Sequence, residues 1–313
     1  MKLVWLEDFF ALVEAGSFSE AARRRNVTQP AFSRRIQMLE QWLGVELFDR
    51  NHRQPTPLPA AVRLEPELRR VVERLYELRS QLQAESVLTT HITLAAQHTL
   101  MVSHLPRLLR DLEERESGLV FRARAGNHDD CLNQLYRRDA DVAICFEDPL
   151  AAPGTSWPQF ERIALGRDRL YPVIAAEPVV DFQRMGETGR FRWLGYPDNT
   201  FLGRIVRQQC LPEVSRRYRI ELVCESSLTL GIKEMVLAGM GIARLLTRLI
   251  EKELLEGDLQ PLTTHLPAPD LTVALYRLVG TQSRECEAFW RLLQMQPAAW
   301  LDAVVMPSEW QES

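Results

Sequence analysis

The chain has 313 residues, a length that suits two or three domains and not one small module. Its net charge of −4 at pH 7 excludes a generally basic nucleic-acid binder, so any binding to nucleic acid has to be local. Acidic residues near the start and the lack of a segment approaching ~20 apolar residues predict a cytoplasmic protein with no membrane contact.

The first predicted helix carries its apolar residues on one face. Leu6, Phe9, Phe10 and Val13 are expected to close a small three-helix core together with the two helices that follow.

A helix-turn-helix is predicted between Ser17 and Leu43. Ser17, with Glu20 three residues later, has the pattern of a capping box that begins a helix. Asn26 tolerates the left-handed backbone that ends a helix, and Thr28 suits the N-cap of the next one. The residues of this second helix expected to face the core are Phe32, Ile36, Leu39 and Leu43.

The opposite face of this second helix carries amide, hydroxyl and guanidinium groups. Amides pair with adenine, arginine pairs with guanine or phosphate, and serine can donate to either a base or the backbone. An ordinary solvated face is the alternative interpretation. The basic residues expected to form an acid-free patch for phosphates are Arg23, Arg24, Arg25, Arg34 and Arg35.

Residues 5–50 strongly resemble the N-terminal domain of LysR-type transcriptional regulators. The resemblance lies in Phe-Ser-Glu-Ala-Ala-Arg at 18–23, Val-Thr-Gln-Pro-Ala-Phe-Ser-Arg-Arg-Ile at 27–36 and Leu-Glu-Gln-Trp-Leu-Gly-Val-Glu-Leu-Phe-Asp-Arg at 39–50. It implies a winged helix-turn-helix that binds double-stranded DNA. The implied contacts are Gln29, Pro30, Ser33, Arg34, Gln37, Arg50 and Arg53. After Arg50 the chain departs from the Gly- and Arg-rich wing that is usual in the family.

Three prolines at 55, 57 and 59 predict that the DNA-binding domain ends here, so that it covers residues 1–59. A linker helix is expected over residues 60–88, with Pro66 near its start. Its coiled-coil seam is formed by Leu64, Leu68, Val71, Leu75, Leu78 and Leu82. The family resemblance favours a homodimer through this seam and a homotetramer beyond it; packing of the helix on its own domain is the alternative.

From His91 onward, predicted strands alternate with helices, which indicates a parallel-rich α/β fold. The predicted strands cover residues 92–96, 119–123, 142–146, 171–175, 222–224 and 273–277. The predicted helices between them cover residues 100–115, 129–138 and 228–237. This part resembles the two-lobed effector domain related to periplasmic solute-binding proteins, with lobe one at residues 89–160 and 263–313 and lobe two at residues 161–262.

A small-molecule effector, such as a small carboxylate, is expected where strands end and helices begin, because free N–H groups and the helix dipole meet there. Ordinary capping explains each of these positions equally well. The predicted effector residues are Gln97, His98, Thr99, Asn127, Phe146, Asn199, Thr200, Ser226 and Ser227. Arg204 and Arg207 could pair with a carboxylate, although solvated surface charges are the more ordinary interpretation.

No cofactor or metal is expected, because the scattered histidines and cysteines lack ligand spacing. The leading hypothesis is a DNA-binding regulator controlled by an effector between two lobes. A redox-responsive regulator is the alternative, through Cys210 and Cys224 or through methionines such as Met101, Met235 and Met240, since the chain resembles the hypochlorite-responsive subgroup around Trp5 and Ala31. An enzyme is not expected; a hydrolase using His98 with Cys145, or Ser226, is the remote alternative.

Overall fold

The computed structural model describes residues 1–49, 55–85, 91–115, 118–148, 150, 159–176, 190–262, 266, 268–280 and 282–295. The chain divides into two compact units, Met1–Thr89 and Thr90–Ser313. Within the described residues, no helix combines the length and apolar character needed to cross a membrane.

The first unit is a helical domain with a short hairpin and one long helix. Its elements are α1 (Leu3–Ala15), α2 (Phe18–Arg24), α3 (Gln29–Leu43), β1 (Phe48–Asp49), β2 (Thr56–Pro57) and α4 (Pro59–Glu85). Strands β1 and β2 pair antiparallel, which gives the helix-turn-helix the small wing that the resemblance implies.

The core of the first unit lies between α1, α2 and α3. Phe9 and Phe48 meet edge to face across it, with ring centroids 5.8 Å apart. Phe32, Ile36 and Leu39 are fully buried, as predicted. The buried apolar residues of α1 are Leu6, Phe9, Phe10 and Leu12. Two predicted core residues, Val13 in the last turn of α1 and Leu43 at the end of α3, are only half-buried.

The turn between α2 and α3 forms as predicted, but the capping box does not. Asn26 has φ 53°, the left-handed backbone that ends α2. Ser17 occupies the N-cap of α2, yet within the described residues its side chain makes no capping hydrogen bond. The Glu20 carboxylate, the other half of the predicted box, forms ion pairs with Arg23 and Arg24 one turn later in the same helix.

Helix α4 begins at Pro59 and continues through Pro66. Pro66 therefore lies inside the helix and neither begins it nor ends it. Its inner face, with Ala61, Val72 and Tyr76, is buried. The predicted seam lies on another face: five of its six residues are exposed, namely Leu64, Val71, Leu75, Leu78 and Leu82. The sixth, Leu68, is half-buried. The apolar periodicity therefore comes from a surface that the single chain leaves open to solvent.

The second unit contains the predicted α/β alternation and several elements that the sequence did not reveal. Its strands are β3 (Ile92–Gln97), β4 (Phe121–Gly126), β5 (Val142–Glu147), β6 (Phe160–Ala175), β7 (Arg190–Gly195), β8 (Arg219–Glu225), β9 (Ala243–Leu246), β10 (Leu259–Pro261) and β11 (Asp270–Leu278). Its helices are α5 (His98–Ser103), α6 (Leu105–Arg115), α7 (His128–Tyr136), α8 (Phe201–Ile205), α9 (Leu211–Arg217), α10 (Thr229–Leu237), α11 (Thr247–Glu256) and α12 (Arg284–Gln294), with a π-helix at Val206–Cys210.

The main sheet has the order β10-β6-β11-β5-β3-β4, with β9 also paired to β6. Only β3 with β4, and β3 with β5, are parallel within it. The expected parallel-rich sheet is therefore a mixed one, because the long strand β6 and strand β11 run antiparallel to their neighbours. Strands β7 and β8 form a separate parallel pair, which a bridge from Trp193 to Ile242 joins to the β9 region.

Strand β6 connects the two lobes. Its first half pairs with β11, and its second half pairs with β9 and β10. One predicted helix, residues 100–115, is divided in two at His104, which is buried and hydrogen-bonded to Ser103.

Candidate nucleic-acid interface and lobe junction

Helix α3 presents a polar face along its first three turns. Gln29, Pro30, Arg34 and Gln37 are exposed, and Ser33 is half-buried. The buried side chains at Phe32, Ile36 and Leu39 fix the rotation of the helix, so these polar groups lie on the side away from the core. Arg50 and Arg53 lie outside the described residues.

The predicted acid-free basic patch was wrong. Arg23 and Arg24 pair with Glu20, and Arg25 is buried between Glu7 and Asp8. The pKa of Glu20 is lowered, chiefly by the hydrogen bond from Arg23, although burial acts in the opposite direction. This carboxylate therefore stays charged beside the arginines.

The two remaining arginines of the predicted patch lie on α3 and differ in their partners. Arg35 approaches Asp8, with Nη1 and Oδ2 3.3 Å apart. Within the part of the chain that the structure describes, Arg34 has no ion-pair partner, and its side chain is exposed. Of the five arginines, Arg34 is therefore the one best placed to meet a phosphate or a base.

In the second unit, three strands of the first lobe end at one edge of their sheet. Gln97 at the end of β3 is in register with Gly126 at the end of β4, and Phe146 lies near the end of β5. Helix α5 starts directly after Gln97, and Asn127 is the N-cap of α7. Parallel strands bring these helix starts together, as the sequence argument required.

The second lobe repeats this arrangement with β7 and β8. Their ends are in register at Gly195 and Glu225, and the Ser226 N–H donates to the Gly195 carbonyl. Thr200 is the N-cap of α8, where its Oγ1 accepts from the Gly203 N–H at 3.0 Å. We call these two sets of strand ends, with the starts of α5, α7, α8 and α10, the lobe junction.

A hydroxyl pair joins the lobes at the junction. Thr99 Oγ1 donates to Thr229 Oγ1 at 2.8 Å, and both residues are buried. Thr229 also hydrogen-bonds Tyr196, whose hydroxyl donates to the Arg244 carbonyl at 2.7 Å. The sequence prediction missed Thr229 and Tyr196. The sequence did contain a signal for both residues: Tyr196 directly follows a strand, and Thr229 begins a helix, which are the positions where effector residues were predicted.

A second contact across the junction involves an aromatic stack. The rings of His128 and Phe201 are stacked at 4.8 Å and 11°. Arg204 lies 5.9 Å from the Phe201 ring and 4.0 Å from Asp129. Arg207 instead pairs with Asp198, so both arginines considered for a carboxylate ligand have acidic groups of the protein nearby.

The predicted effector residues fall into buried and exposed groups. Gln97 and Thr99 are nearly buried, and the Gln97 Oε1 accepts from the Phe146 N–H at 2.5 Å. The Phe146 side chain is entirely buried, so it belongs to the core, and a ligand can meet it only through the backbone. The exposed members are His98, Asn127, Asn199 and Ser227, while Thr200 and Ser226 are half-buried.

The start of α10 differs from the prediction. Leu228 occupies the N-cap, and Ser226 lies before it and accepts from the Leu228 N–H at 3.1 Å. Ser226 and Ser227 are therefore part of the turn that leads into the helix.

Close to the junction, the chain buries a histidine and a carboxylic acid together. His104 Nε2 lies 3.5 Å from Asp168 Oδ2, and both side chains are almost wholly buried. Burial, together with a smaller effect of the positive charge of Arg248, lowers the pKa of His104 to about 3. Burial also raises the pKa of Asp168 to about 7, although backbone N–H groups of Arg248 and Arg169 oppose the rise. Both groups are therefore mostly neutral between about pH 3 and about pH 7.

The two cysteines considered for redox sensing differ in exposure. Cys210 is buried at the end of the π-helix, whereas Cys224 is half-buried, with its Sγ 3.7 Å from the Glu225 carbonyl. Burial raises the pKa of Cys210, and the charge of Arg244 opposes this rise. A thiol with a raised pKa is a slow nucleophile.

Residues 3–62 match the model of the bacterial regulatory helix-turn-helix proteins of the lysR family, and residues 86–298 match the LysR substrate binding domain. The regulator YjiE of Escherichia coli K12 is 30% identical over 296 residues, which cover 93% of each chain.

Two solved structures give the same result. The full-length hypochlorite-specific regulator HypT of Salmonella typhimurium is 28% identical, with a TM-score of 0.58 over 96% of this chain and 99% of its own. DarR of Vibrio fischeri, solved in complex with DNA, is 28% identical, with a TM-score of 0.55 over 94% and 98%.

The chain belongs to the LysR family of transcriptional regulators. This LysR-type regulator has a helix-turn-helix DNA-binding domain and an α/β effector-binding domain, which confirms the fold class and the leading functional hypothesis. Regulators of the family carry a DNA-binding helix-turn-helix and a substrate binding domain, and DarR was solved in complex with DNA.

Proposed function

We propose that the regulator reads DNA with the first three turns of α3 and is controlled by a small molecule bound at the lobe junction. The DNA part is supported chiefly by the exposed polar face of α3. Gln29 and Gln37 offer amides to adenine, Arg34 offers its guanidinium to guanine or phosphate, and Ser33 can donate to a base edge or the backbone. Pro30 is proposed to pack against the groove wall. Arg50 and Arg53, which lie outside the described residues, are proposed to contact the DNA phosphates, as the family resemblance implies.

Two copies of the chain are proposed to pair through the exposed seam of α4. An apolar row at coiled-coil spacing that lies open to solvent in one chain is stabilised when a second copy covers it. A symmetric dimer places two copies of α3 on two half-sites, so the operator has approximate two-fold symmetry. The proposed full assembly is a tetramer.

The proposed effector is a small polar molecule, such as a small carboxylate, that binds among the strand ends and helix starts of the junction. The polar groups that line this place come from both lobes, including Gln97 and Thr99 from the first and Thr200 and Ser226 from the second. A ligand that bridges them has different contacts in each relative placement of the lobes. It can therefore shift the balance between placements by its difference in affinity.

The remaining functional predictions follow from family membership. We propose that the protein acts in the cytoplasm without catalytic activity, since the family consists of DNA-binding regulators. Cys145, the nucleophile of the hydrolase alternative, is buried, and burial raises its pKa well above its ordinary value.

DNA reading can be tested by electrophoretic mobility shift on the DNA upstream of the regulator's own gene. We expect Arg34→Ala to weaken specific binding about tenfold or more, because a lost arginine–guanine contact costs ~1–3 kcal/mol. Arg110→Ala is the matched control: Arg110 is 68% exposed and lies in the other unit. Equal affinity of the Arg34 variant and the wild type would contradict the assignment of α3.

Effector binding can be tested with a thermal-shift screen of small carboxylates on the full chain. A ligand that binds the folded protein raises its unfolding temperature by mass action. We expect Thr99→Val to remove this rise, and Ser215→Ala, at an exposed hydroxyl on α9, to preserve it. A rise that survives Thr99→Val would place the ligand elsewhere.

A response to hypochlorite is a second candidate function, favoured by the similarity to the hypochlorite-specific regulator HypT. Met101, Met235 and Met240 are partly buried against the core, so sulfoxide formation would place a polar group there. We expect hypochlorite, and not a carboxylate ligand, to change DNA affinity if this function is the main one. Mass spectrometry of the treated protein would identify the oxidised residue, with Cys210 and Cys224 as the cysteine candidates.

A further inference from the structure

A buried polar network connects the long helix α4 with the helix-turn-helix. Tyr76 on α4 donates a hydrogen bond to Glu7 Oε1 on α1, and the other oxygen of this carboxylate accepts from Arg25 in the turn after α2. The side chains of Glu7, Arg25 and Tyr76 are all almost inaccessible to solvent.

The same network continues to α3. Arg25 Nε donates to Asp8 Oδ1 at 2.8 Å, and the second oxygen of Asp8 lies 3.3 Å from Arg35 Nη1. Arg35 follows Arg34, the arginine proposed to meet DNA. A continuous chain of charged and hydrogen-bonded groups therefore runs from α4 through α1 and the turn to α3.

The other contacts of α4 with α1 show that this link fixes one particular alignment. Arg69, two turns before Tyr76, lies 4.6 Å from the Phe10 ring and 3.1 Å from Glu14 Oε1. Since Arg69 meets the end of α1 and Tyr76 meets its beginning, the two helices are antiparallel. A slide or rotation of α1 on α4 would separate Tyr76 from Glu7 and leave a buried carboxylate with fewer donors, which is costly.

We propose that Tyr76 and Glu7 are positioning residues that fix α3 at a set angle to the dimer helix α4 and thereby determine which half-site spacing the dimer accepts. The proposal rests on the DNA-reading function of α3 and on pairing through α4. In helix-turn-helix dimers the half-sites lie about one DNA turn apart, ~34–36 Å, and each inserted base pair shifts one half-site by ~3.4 Å. A rigid link makes such a shift unfavourable, whereas a loose link tolerates it.

The test uses the full chain and a set of operators in which the two half-sites are moved apart or together by one and two base pairs. The measured quantity is the ratio of the affinity for the natural spacing to that for each altered spacing. We expect Tyr76→Phe, which removes only the hydroxyl, to lower this ratio several-fold while it changes the affinity for the natural operator less. The control is Tyr171→Phe, which removes a hydroxyl in the other unit that accepts from Arg169.

A second variant keeps the test decisive if Tyr76→Phe disturbs folding, which circular dichroism would reveal. Arg35→Gln interrupts the network at its half-exposed end, where the side chain is 35% accessible. A reduced spacing ratio supports positioning. A uniform loss of affinity at all spacings means that Arg35 only contacts phosphate, and it overturns the proposed continuation of the network to α3.

The outcomes separate this inference from the function on which it rests. A wild-type chain that binds no operator specifically would contradict the DNA-reading function itself. A wild-type chain that prefers one spacing, together with a folded Tyr76→Phe variant that prefers it equally strongly, would overturn the positioning role alone.

Discussion

The two units bury charged groups in opposite ways. In the first unit, Glu7 and Asp8 are buried with Arg25 as a charged partner. Burial alone would lower the pKa of Arg25, but the charges of the two carboxylates more than offset this and raise it. In the second unit, His104 and Asp168 lie together and are each displaced by burial toward the neutral form. The first unit therefore buries its acids as charged ion pairs. The second unit instead buries a pair that burial displaces toward the neutral form, so that either member becomes charged when the pH passes its shifted pKa.

Among the variants that test this difference, removal of Arg25 should cause the largest loss of stability. Arg25→Ala leaves two buried carboxylates without their main cation, and loss of one partner of a buried pair costs ~3–5 kcal/mol. We expect a large fall in the urea midpoint of the first unit, measured by circular dichroism. Glu20→Ala is the control: its pairs with Arg23 and Arg24 are partly exposed, so its expected cost is below ~1 kcal/mol. Similar losses of stability for both variants would contradict the view that the buried Arg25 cluster stabilises the first unit more than the exposed pairs of Glu20 do.

The next largest effect concerns the packing at the lobe junction. A Cβ added at Gly203 would lie 2.1 Å from the Pro197 carbonyl oxygen, so Gly203→Ala forces the start of α8 away from its turn. We expect a destabilisation of ~1–3 kcal/mol, measured by thermal unfolding.

Gly231→Ala is the matched control for this packing prediction. Its Cβ would meet only Ser226 Oγ, at an ordinary 3.9 Å, and alanine is favoured within a helix such as α10. A Gly231 variant as unstable as the Gly203 variant would show that the junction is not specially tight at Gly203.

The smallest effect is the pH dependence of the His104–Asp168 pair, whose members oppose one another. The lowered pKa of His104 gives stability that is present above pH 6.5 and lost as the pH falls toward about 3. The raised pKa of Asp168 gives stability that is present below pH 3.8 and lost as the pH rises through about 7. Between pH 4 and 6.5 the two slopes cancel in the wild type.

Single variants should separate these slopes. Asp168→Asn leaves His104 alone, so stability should rise with pH between 4 and 6.5, by at most ~1.4 kcal/mol per unit. His104→Gln should give the opposite slope. Unfolding midpoints measured at several pH values would check both; equal slopes in the wild type and both variants would mean that the pair does not titrate as described. The other charged group that faces the pair, Arg248, is unchanged in both variants.

The sequence predicted much of the first unit because its signals are local. The turn at Asn26, the buried face of α3 and the proline-marked start of α4 each depend on neighbouring residues. The acid-free patch failed in part for a local reason, since Glu20 pairs with Arg23 and Arg24 in the same helix. For Arg25 and Arg35 it failed for the complementary reason. The acids that neutralise Arg25 and Arg35 lie on α1, and no spacing within residues 17–43 reveals them.

In the second unit, strand ends and helix starts were predicted well enough to locate the junction. The sequence could not show that Phe146 is buried or that Thr99 meets Thr229, because these facts depend on how two lobes pack. Strand β6 was predicted only in its last third, since its pairing changes from β11 to β9 and β10 along its length.

By itself the sequence determined the order of the elements, the polar face of α3 and the apolar seam of α4, because periodicity and capping act between residues close in the chain. Only the tertiary structure decided which charges remain available. Arg25 is taken into a buried network with Glu7, Asp8 and Tyr76, while Arg34 remains exposed on α3. Electrostatic partners are chosen by distance in space, and folding brings together residues far apart in the chain.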